Sequence, residues 1–353
     1  MARLPDPAFW RSKRVLLTGH TGFKGSWAAL WLRRMGADVT GIGLAPESEA
    51  NHFALADAAD GVDSRIADLR DRDEVAAIVA AARPDLVLHM AAQPLVRRSI
   101  RDPHTTWSTN VGGTASLLDA LLAQECRAPV LVVTSDKVYA NDGSGRAFAE
   151  DDRLGDKDPY SASKAACELL VRSYRATYFG PASIPIATAR AGNVIGGGDF
   201  SEDRIVPDIV RAALAGKDVV LRHPEATRPW QHVLDCLAGY LVYLETLALD
   251  PAAPPTLNLG PDPEREITVA QATETVASLL DRGTGWVHEP VPGSIEAKSL
   301  GLDSTLARRV LDWADRLPGQ DALDWTAEWY AAWLAGEALP EVSRRQIDRY
   351  LEL

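Results

Sequence analysis

The chain has 353 residues, a net charge of −12 and a sequence pI of about 5.1. This acidic balance argues against non-specific nucleic-acid binding, which depends on neutralising phosphates with Lys and Arg. The three cysteines are far apart and form no CxxC motif, so a reducing compartment and a cytoplasmic location are expected. The seven histidines do not cluster at metal-ligand spacing, so no metal is expected. No signal peptide and no apolar run of about 18 residues is visible, so no membrane partner is expected.

Short apolar runs alternate with amphipathic segments from residue 14 to residue 191. Strands are predicted at residues 14–18, 37–43, 62–66, 85–89, 129–134 and 184–191. Helices are predicted at residues 26–35, 71–82, 113–124 and 162–178. Strict alternation of strand and helix is typical of a parallel sheet with right-handed crossovers. The sequence therefore predicts an α/β fold with a doubly wound, Rossmann-like parallel sheet.

The pattern changes after about residue 191, where glycines, charged loops and shorter elements appear. Further helices are predicted at residues 205–215, 233–249, 269–280 and 304–334, with a short strand at 256–259. Trp325, Trp329 and Trp333 recur at helical spacing, which predicts packing in a core or an interface. We expect two interleaved parts, a sheet domain at 1–191 and a smaller C-terminal lobe at 192–353.

A glycine-rich loop joins the first strand to the first helix. Gly19, Gly22 and Gly25 form G-x-x-G-x-x-G there. Glycine lets backbone N–H groups and the helix N-terminus approach a phosphate closely, so the loop predicts dinucleotide binding by residues 1–191. The second strand ends Gly41-Ile42-Gly43-Leu44, with no basic residue for a 2′-phosphate. NAD is therefore favoured over NADP.

Other residues complete the predicted cofactor site. His20, Phe23 and Lys24 lie inside the glycine loop, and His20 and Lys24 either face solvent or add contacts to the pyrophosphate. Asp68 and Leu69 follow the third strand and are expected near the adenine. Small residues after the fourth strand would let a cofactor lie against the backbone. The remaining predicted cofactor contacts are Ala91, Ala92, Gln93 and Asn110.

Tyr160 and Lys164 are spaced as a proton-transfer pair. Residues at i and i+4 share one helix face, so both head groups can meet one substrate. A free tyrosine has a pKa of about 10, and a nearby ammonium lowers that pKa by favouring the phenolate. The pair predicts a tyrosine that removes a proton from a sugar or alcohol hydroxyl while hydride leaves the same carbon. Both Tyr160 and Lys164 are also expected to contact the cofactor.

Together, the glycine loop, His89-x-Ala-Ala, Asn110 and Tyr160-x-x-x-Lys164 resemble the extended short-chain dehydrogenase/reductase family, in the branch that acts on nucleotide sugars. The resemblance extends from about Arg14 to Trp313. It implies a nucleotide-sugar substrate bound mainly by the lobe at 192–353. It also implies a homodimer or higher homo-oligomer, formed through the helix at 113–124 and the Tyr160 helix.

The residues after the fifth strand narrow the implied reaction. In the family a Ser or Thr here assists the tyrosine at the sugar 4-hydroxyl, which assigns that role to Ser135. Sugar-nucleotide 4,6-dehydratases carry an Asp next, which protonates the departing 6-hydroxyl and corresponds to Asp136. Lys137 replaces the Glu that removes the C5 proton, so Lys137 either acts as the base or stabilises an enolate. A 4-epimerase and a non-catalytic cofactor-binding regulator remain alternatives.

Several residues are expected to hold the nucleotide sugar. Arginines suit a diphosphate because the guanidinium offers forked donors. Arg204 and Arg228 lie in the second lobe, and the family's Asn-Val and late Asn-x-Gly segments correspond to Asn193 and Asn258. The full predicted substrate set is Gln93, Thr134, Asn193, Arg204, Arg228 and Asn258.

One subgroup of the family matches several segments at once. The segments at 19–25, 134–137, 203–208 and 228–234, and Glu296-Ala297 with Leu302-Asp303, resemble the CDP-glucose 4,6-dehydratases. His20, Lys24 and Lys137 distinguish this subgroup from dehydratases of dTDP- and GDP-sugars. The resemblance implies conversion of CDP-glucose to its 4-keto-6-deoxy product through bound NAD, a step of deoxysugar biosynthesis.

Overall fold

A computed structural model describes residues 2–261, 267–289 and 300–353. Its strands are β1 Arg14–Thr18, β2 Asp38–Gly43, β3 Asp63–Ile66, β4 Leu86–His89, β5 Val130–Val133, β6 Ala147–Phe148, β7 Ile186–Arg190, β8 Val194–Ile195, β9 Val219–Leu221, β10 Thr227–Arg228, β11 Gln231–His232, β12 Thr256–Asn258, β13 Ile267–Thr268, β14 Trp286–His288 and β15 Gly301–Leu302. Glu296 and Ala297, singled out in the sequence, lie outside the described residues.

A seven-stranded sheet forms the centre, in the order β12-β7-β5-β4-β1-β2-β3. Every neighbouring pair in this sheet is parallel. Strands β4, β5 and β7 are buried along their whole length, which explains the continuous runs of Val and Leu in β4 and β5. The predicted doubly wound parallel sheet is confirmed, and its carboxyl edge at β1, β4 and β5 is where ligands of such sheets bind.

Helices cover both faces of the sheet. They are α1 Pro7–Trp10, α2 Phe23–Arg34, α3 His52–Leu55, α4 Arg72–Ala82, α5 Val96–Arg101, α6 Pro103–Trp107, α7 Thr114–Ala123, α8 Pro159–Tyr174, α9 Ile205–Ala215, α10 Val233–Leu249, α11 Val269–Leu280, α12 Thr305–Leu311, α13 Gln320–Leu334 and α14 Leu339–Glu352. π-helical turns at Ser108–Gly113 and Arg175–Phe179 adjoin α7 and α8. Among the described residues, no helix is long and apolar enough to cross a membrane.

Several helices differ from the predictions, among them α8, which begins at Pro159 rather than at residue 162. Helix α2 begins three residues earlier than expected, because Gly22 serves as its N-cap and the glycine loop runs directly into the first turn. The helix expected at 304–334 is two helices, since Asp312 adopts a left-handed conformation with φ of 51° and ends α12. Helix α14 was not predicted, although its apolar face is buried.

The second half of the chain is joined to the central sheet. Strand β12 pairs with β7, so residues beyond 191 supply the edge of the sheet. Trp329 is fully buried and Trp325 is 8% exposed, which confirms core packing for the tryptophan face of α13. The division into a sheet domain at 1–191 and a lobe at 192–353 stays a prediction.

Candidate active site

The glycine loop forms a cradle with no space for side chains. Gly19 has a φ of 78°, and a Cβ added there would lie 2.9 Å from the backbone of Ala91. A Cβ added at Gly25 would lie 1.9 Å from the Gly19 carbonyl oxygen. Gly22 is exposed and caps α2 without a side-chain hydrogen bond. The first-turn N–H groups therefore face outward, as binding of an anionic diphosphate requires.

Replacing Gly25 by Ala should weaken dinucleotide binding by at least tenfold and lower Tm, because the added methyl group forces the loop backbone apart. Calorimetric titration with NAD and thermal melting measure the two effects. Gly112→Ala is the matched control. A Cβ at Gly112 meets nothing within 4 Å, and alanine is more favourable than glycine in a helical turn such as this one. Unchanged NAD affinity in Gly25→Ala would place the cofactor elsewhere.

A buried hydroxyl–imidazole chain fixes the loop after β4. Thr18 Oγ1 accepts from the N–H groups of Met90 and Ala91 at 3.2 and 3.1 Å and contacts His89 Nδ1 at 2.7 Å. Burial lowers the pKa of His89 to about 3, so the ring is neutral. Its Nε2 lies 2.9 Å from Thr114 Oγ1. The chain holds the partly exposed Ala91 against the glycine loop.

Gln93 and Asn110 hold this loop rather than present free amides. Asn110 Oδ1 accepts from the Gln93 N–H at 2.8 Å, and its Nδ2 donates to Ser163 Oγ at 2.9 Å. Gln93 Nε2 donates to Thr106 Oγ1 at 2.8 Å, and its Oε1 accepts from the Leu95 N–H at 2.7 Å. Both amides are satisfied within the protein. The structure therefore supports positioning roles, not the predicted direct contacts from these side chains.

His20 is fully buried and Lys24 is partly buried, so the solvent-facing alternative is wrong for His20. The His20 ring lies against Gly41, and its Nε2 pairs with Ser64 Oγ at 2.7 Å. Burial lowers the pKa of His20. Lys24 Nζ donates to the Tyr240 hydroxyl at 3.2 Å, and burial lowers the pKa of this lysine as well. The predicted contact of the His20 ring with the pyrophosphate is not supported, because the ring turns toward β2 and β3.

Of the two residues expected near the adenine, Asp68 is partly exposed and Leu69 is buried. Asp68 accepts from Arg70, which holds the pKa of its carboxyl below the usual range. Leu69 is 4% exposed and packs against Gly113, where a Cβ would lie 2.9 Å from Leu69 Cβ. Ala92 is partly exposed. Contact with an adenine stays a prediction for Asp68 and Leu69.

Helix α8 brings Tyr160 and Lys164 to the carboxyl edge of the sheet. Asp158 caps the helix through the Ser161 N–H, and Pro159 occupies its first turn, which favours helix entry at this point. Tyr160 is 7% exposed and Lys164 5% exposed. Lys164 Nζ donates to the Val133 carbonyl oxygen at the end of β5, at 3.1 Å. The two side chains therefore lie beside the last residue of a central strand.

The pKa of Tyr160 contradicts the sequence argument. Burial raises it to about 12, and a hydrogen bond with Ser135 and the charge of Arg204 only partly oppose this. Lys164 was expected to lower this pKa, but its ammonium is bound to Val133 and burial lowers its own pKa. Desolvation outweighs charge here, so further positive charge must act on the phenol before it can serve as a base.

Ser135, Asp136 and Lys137 follow β5 in a 3₁₀ turn. Ser135 Oγ donates to Asp136 Oδ1 at 2.9 Å. Asp136 is 2% exposed, and its Oδ2 has no hydrogen-bond partner within the described ranges. Lys137 Nζ lies 4.0 Å from Asp136 Oδ1 and is 31% exposed. A buried carboxyl with one unused oxygen beside a serine–tyrosine pair suits proton transfer to a bound ligand.

Thr134 and Asn258 serve a buried network behind the site. Thr134 Oγ1 donates to Glu168 Oε1 at 2.5 Å, and Glu168 forms a buried ion pair with Arg190 at 2.9 Å. Asn258 Oδ1 accepts from the Tyr139 hydroxyl at 2.7 Å, and its Nδ2 donates to two backbone carbonyls. Because these polar groups are engaged, the structure does not support the predicted substrate contacts from Thr134 and Asn258 side chains.

The remaining predicted substrate residues are partly exposed. The Asn193 carbonyl accepts from the Gln231 N–H at 3.1 Å. Arg204 Nη1 pairs with Asp199 Oδ2 at 3.2 Å, and its charge acts on Tyr160. Arg228 Nη1 donates to the Thr227 carbonyl at 2.8 Å. Their contacts with a substrate stay predictions.

Sequence reasoning missed Tyr240 and Glu168. Tyr240 lies in the middle of α10, where an apolar sequence gave no indication that it would hold Lys24. Glu168 lies four residues after Lys164 on the same buried helix face, so its charge at a core position was a usable signal. Within the described ranges, no group of three or more His, Cys, Asp or Glu could hold a metal ion.

Comparison with known proteins identifies the family. Residues 15–260 match the NAD dependent epimerase/dehydratase family, and the chain belongs to it. A CDP-glucose 4,6-dehydratase of Salmonella typhimurium is 39% identical over 98% of both chains. A dTDP-glucose 4,6-dehydratase of Xanthomonas campestris is 30% identical over 91% of this chain and 95% of that protein. The predicted family is confirmed.

The fold is also found among solved structures. A UDP-glucose 4-epimerase from Stenotrophomonas maltophila, solved with bound NAD and formylated UDP-arabinopyranose, superposes with a TM-score of 0.80. That structure is 24% identical, and the match covers 92% of this chain and 99% of that chain. At this identity the likeness shows the shared fold.

Proposed function

We propose that this member of the NAD dependent epimerase/dehydratase family is a 4,6-dehydratase that converts CDP-glucose to CDP-4-keto-6-deoxyglucose. The observation that carries the proposal is the buried Asp136 carboxyl, whose Oδ2 is unused, beside Ser135 and Tyr160. A 4-epimerase needs the tyrosine but no acid for C6. The 39% identity to a CDP-glucose 4,6-dehydratase over 98% of the chain supports the same substrate.

The cofactor we propose is NAD. The glycine cradle fits its diphosphate, since a Cβ at Gly25 would lie 1.9 Å from the Gly19 carbonyl oxygen and the N-terminus of α2 is open. The end of β2 presents glycine and Leu44, with no cation for a 2′-phosphate. When bound, NAD supplies the hydride acceptor for C4 and the hydride donor for C6.

The protein's own groups handle the protons. Tyr160, with Ser135 and Lys164, takes the proton of the 4-hydroxyl, and the 4-ketone formed makes the C5 proton acidic. Asp136 gives a proton to the leaving 6-hydroxyl, while Lys137 occupies the position of the base for C5. We propose that Arg204, Arg228 and Asn193 bind the diphosphate, which fixes the hexose against the sheet edge.

The assembly and the setting are part of the same proposal. We propose a homodimer through the outer faces of α7 and α8, supported by two exposed apolar side chains, Leu169 on α8 (58% exposed) and Tyr178 in the following π-turn (51%). We also propose a cytoplasmic location, supported by three dispersed cysteines that form no CxxC motif. The product would enter deoxysugar biosynthesis for O-antigen or lipopolysaccharide.

Incubation with NAD and each of CDP-, dTDP-, UDP- and GDP-glucose tests the proposal, with product followed by the alkali-dependent absorbance of 4-keto-6-deoxy sugars. We expect product with CDP-glucose and at least a hundredfold lower kcat/KM with the other three. A preference for another nucleotide would overturn the assignment of the base. Conversion of UDP-glucose to UDP-galactose without loss of water would replace the dehydratase by an epimerase, and NAD binding without turnover would favour a regulator.

A further inference from the structure

The side-chain amide of Gln231 is buried without hydrogen bonds. Gln231 is 1% exposed, and neither its Nε2 nor its Oε1 meets a donor or acceptor in the part of the chain that the structure describes. A buried amide left unpaired lowers the stability of the fold, so native proteins rarely retain one without a use for it. Both a donor and an acceptor are therefore available to a ligand at this position.

The strand pairing defines the face from which this amide projects. Strand β11 pairs in parallel with β8, with Gln231 opposite Val194 and His232 opposite Ile195. Opposed residues of a pair project from the same face, and successive residues project from opposite faces. Gln231 therefore shares a face with Val194, while His232 projects from the other side.

The face shared by Gln231 and Val194 is the catalytic side. Gly192 precedes Val194 by two residues, and a Cβ added there would lie 3.2 Å from Asp136 Oδ2. Gly196 follows by two residues, and a Cβ there would lie 3.2 Å from Phe23 of the glycine loop. Asp136 and the glycine loop therefore lie on the side of this strand pair from which the Gln231 amide projects.

The opposite face is occupied by the C-terminal helices. The His232 ring lies 6.0 Å from the Trp325 ring on α13. A Cβ added at Gly197 would lie 2.0 Å from Trp329 on the same helix. These contacts agree with the alternation and confirm that Gln231 does not project into the tryptophan core.

We propose that the Gln231 amide hydrogen-bonds a hydroxyl group of the substrate's hexose, an inference that rests on the proposed function. The hexose carbons that react must lie beside Tyr160 and Asp136, and Gln231 faces that space from the neighbouring strand pair. A sugar hydroxyl both donates and accepts, so it can satisfy either unpaired atom of the amide. Gln231 is then a substrate-contacting residue that selects a correctly placed hydroxyl.

Gln231→Met, which keeps the length of the side chain and removes its polar atoms, tests the proposal. Calorimetric titration should show CDP-glucose binding about tenfold more weakly, with the dissociation constants of CDP and NAD changed less than twofold. The Tm without substrate should stay the same or rise, because an unpaired buried amide is removed. A structural glutamine would give the reverse, a lower Tm with unchanged CDP-glucose affinity. Gln231→Asn, which keeps the amide, serves if the Met variant does not fold.

Gln346→Met is the matched control. Gln346 is fully buried in α14, where its Nε2 donates to the Trp325 carbonyl at 2.8 Å, so its loss should lower Tm and leave CDP-glucose binding unchanged. Two results would overturn this inference and leave the proposed function intact. One is a normal CDP-glucose affinity in Gln231→Met, and the other is a tenfold loss of affinity for NAD or CDP instead. A wild-type protein that neither binds nor dehydrates CDP-glucose would overturn the proposed function and this inference together.

Discussion

Replacing Tyr160 by Phe should lower kcat for CDP-glucose by about a thousandfold, while CDP-glucose and NAD still bind within about threefold. The ring keeps its packing in the buried site, but no hydroxyl remains to take the proton of the sugar's 4-hydroxyl group as hydride leaves C4. Initial rates and calorimetric titration of the same preparations separate the two effects.

Tyr178→Phe is the control for Tyr160→Phe, since Tyr178 lies outside the site and the substitution keeps the apolar ring at the proposed dimer interface. It should keep full activity. If Tyr160→Phe turned over at more than a tenth of the wild-type rate, the assignment of the base would be wrong. Weaker CDP-glucose binding in proportion to the lost rate would instead assign Tyr160 to substrate binding alone.

Asp136→Asn should lower formation of the 4-keto-6-deoxy sugar by about a hundredfold to a thousandfold. The amide fits the same volume and keeps a hydrogen bond with Ser135, but it cannot protonate the leaving 6-hydroxyl. Oxidation at C4 uses Tyr160 and should continue, so a 4-keto sugar that retains its 6-hydroxyl accumulates up to one equivalent per active site, because the hydride then stays on the cofactor as NADH. Borodeuteride trapping followed by mass spectrometry of the released hexose detects it.

Asp142→Asn, at an exposed loop position, is the control and should behave as wild type. An Asp136→Asn enzyme with full dehydration would remove Asp136 from the mechanism. Loss of C4 oxidation and dehydration to the same extent would show that Asp136 acts through Ser135 and Tyr160 rather than on C6.

Much of the architecture was predictable because local patterns and the final fold agree. The buried runs of β4, β5 and β7 and the boundaries of α9, α10 and α11 follow directly from apolar periodicity. Helix α14 escaped because its residues are mostly polar, and its buried face depends on partners such as Trp325 that are distant in sequence. The break after α12 depends on one left-handed residue, Asp312.

The site was predictable in its residues but not in its side-chain environments. Tyr160 and Lys164 were predicted from their spacing, and Ser135 and Asp136 from the family resemblance. All four meet at the carboxyl edge of the sheet, while their catalytic roles stay predictions. The raised pKa of Tyr160 could not be predicted, since it depends on burial by elements far apart in the chain. The side-chain amides of Gln93, Asn110 and Asn258 could not be predicted to be occupied either, because only tertiary contacts reveal that a polar group already has hydrogen-bond partners.

The amide of Gln231 shows the opposite case. Gln231 lies in the segment 228–234 that carries the family resemblance, but that segment assigned no role to Gln231 itself. Its potential role follows from its burial, its unpaired atoms and its register opposite Val194. These are properties of the folded chain alone.

Internal transfer of hydrogen from C4 to C6 is the central claim, and CDP-glucose carrying deuterium at C4 tests it most directly. After incubation with the enzyme and NAD in ordinary water, mass spectrometry and NMR of the product should find the deuterium on the C6 methyl group. A product without deuterium at C6, or a product that keeps its 6-hydroxyl, would contradict the account.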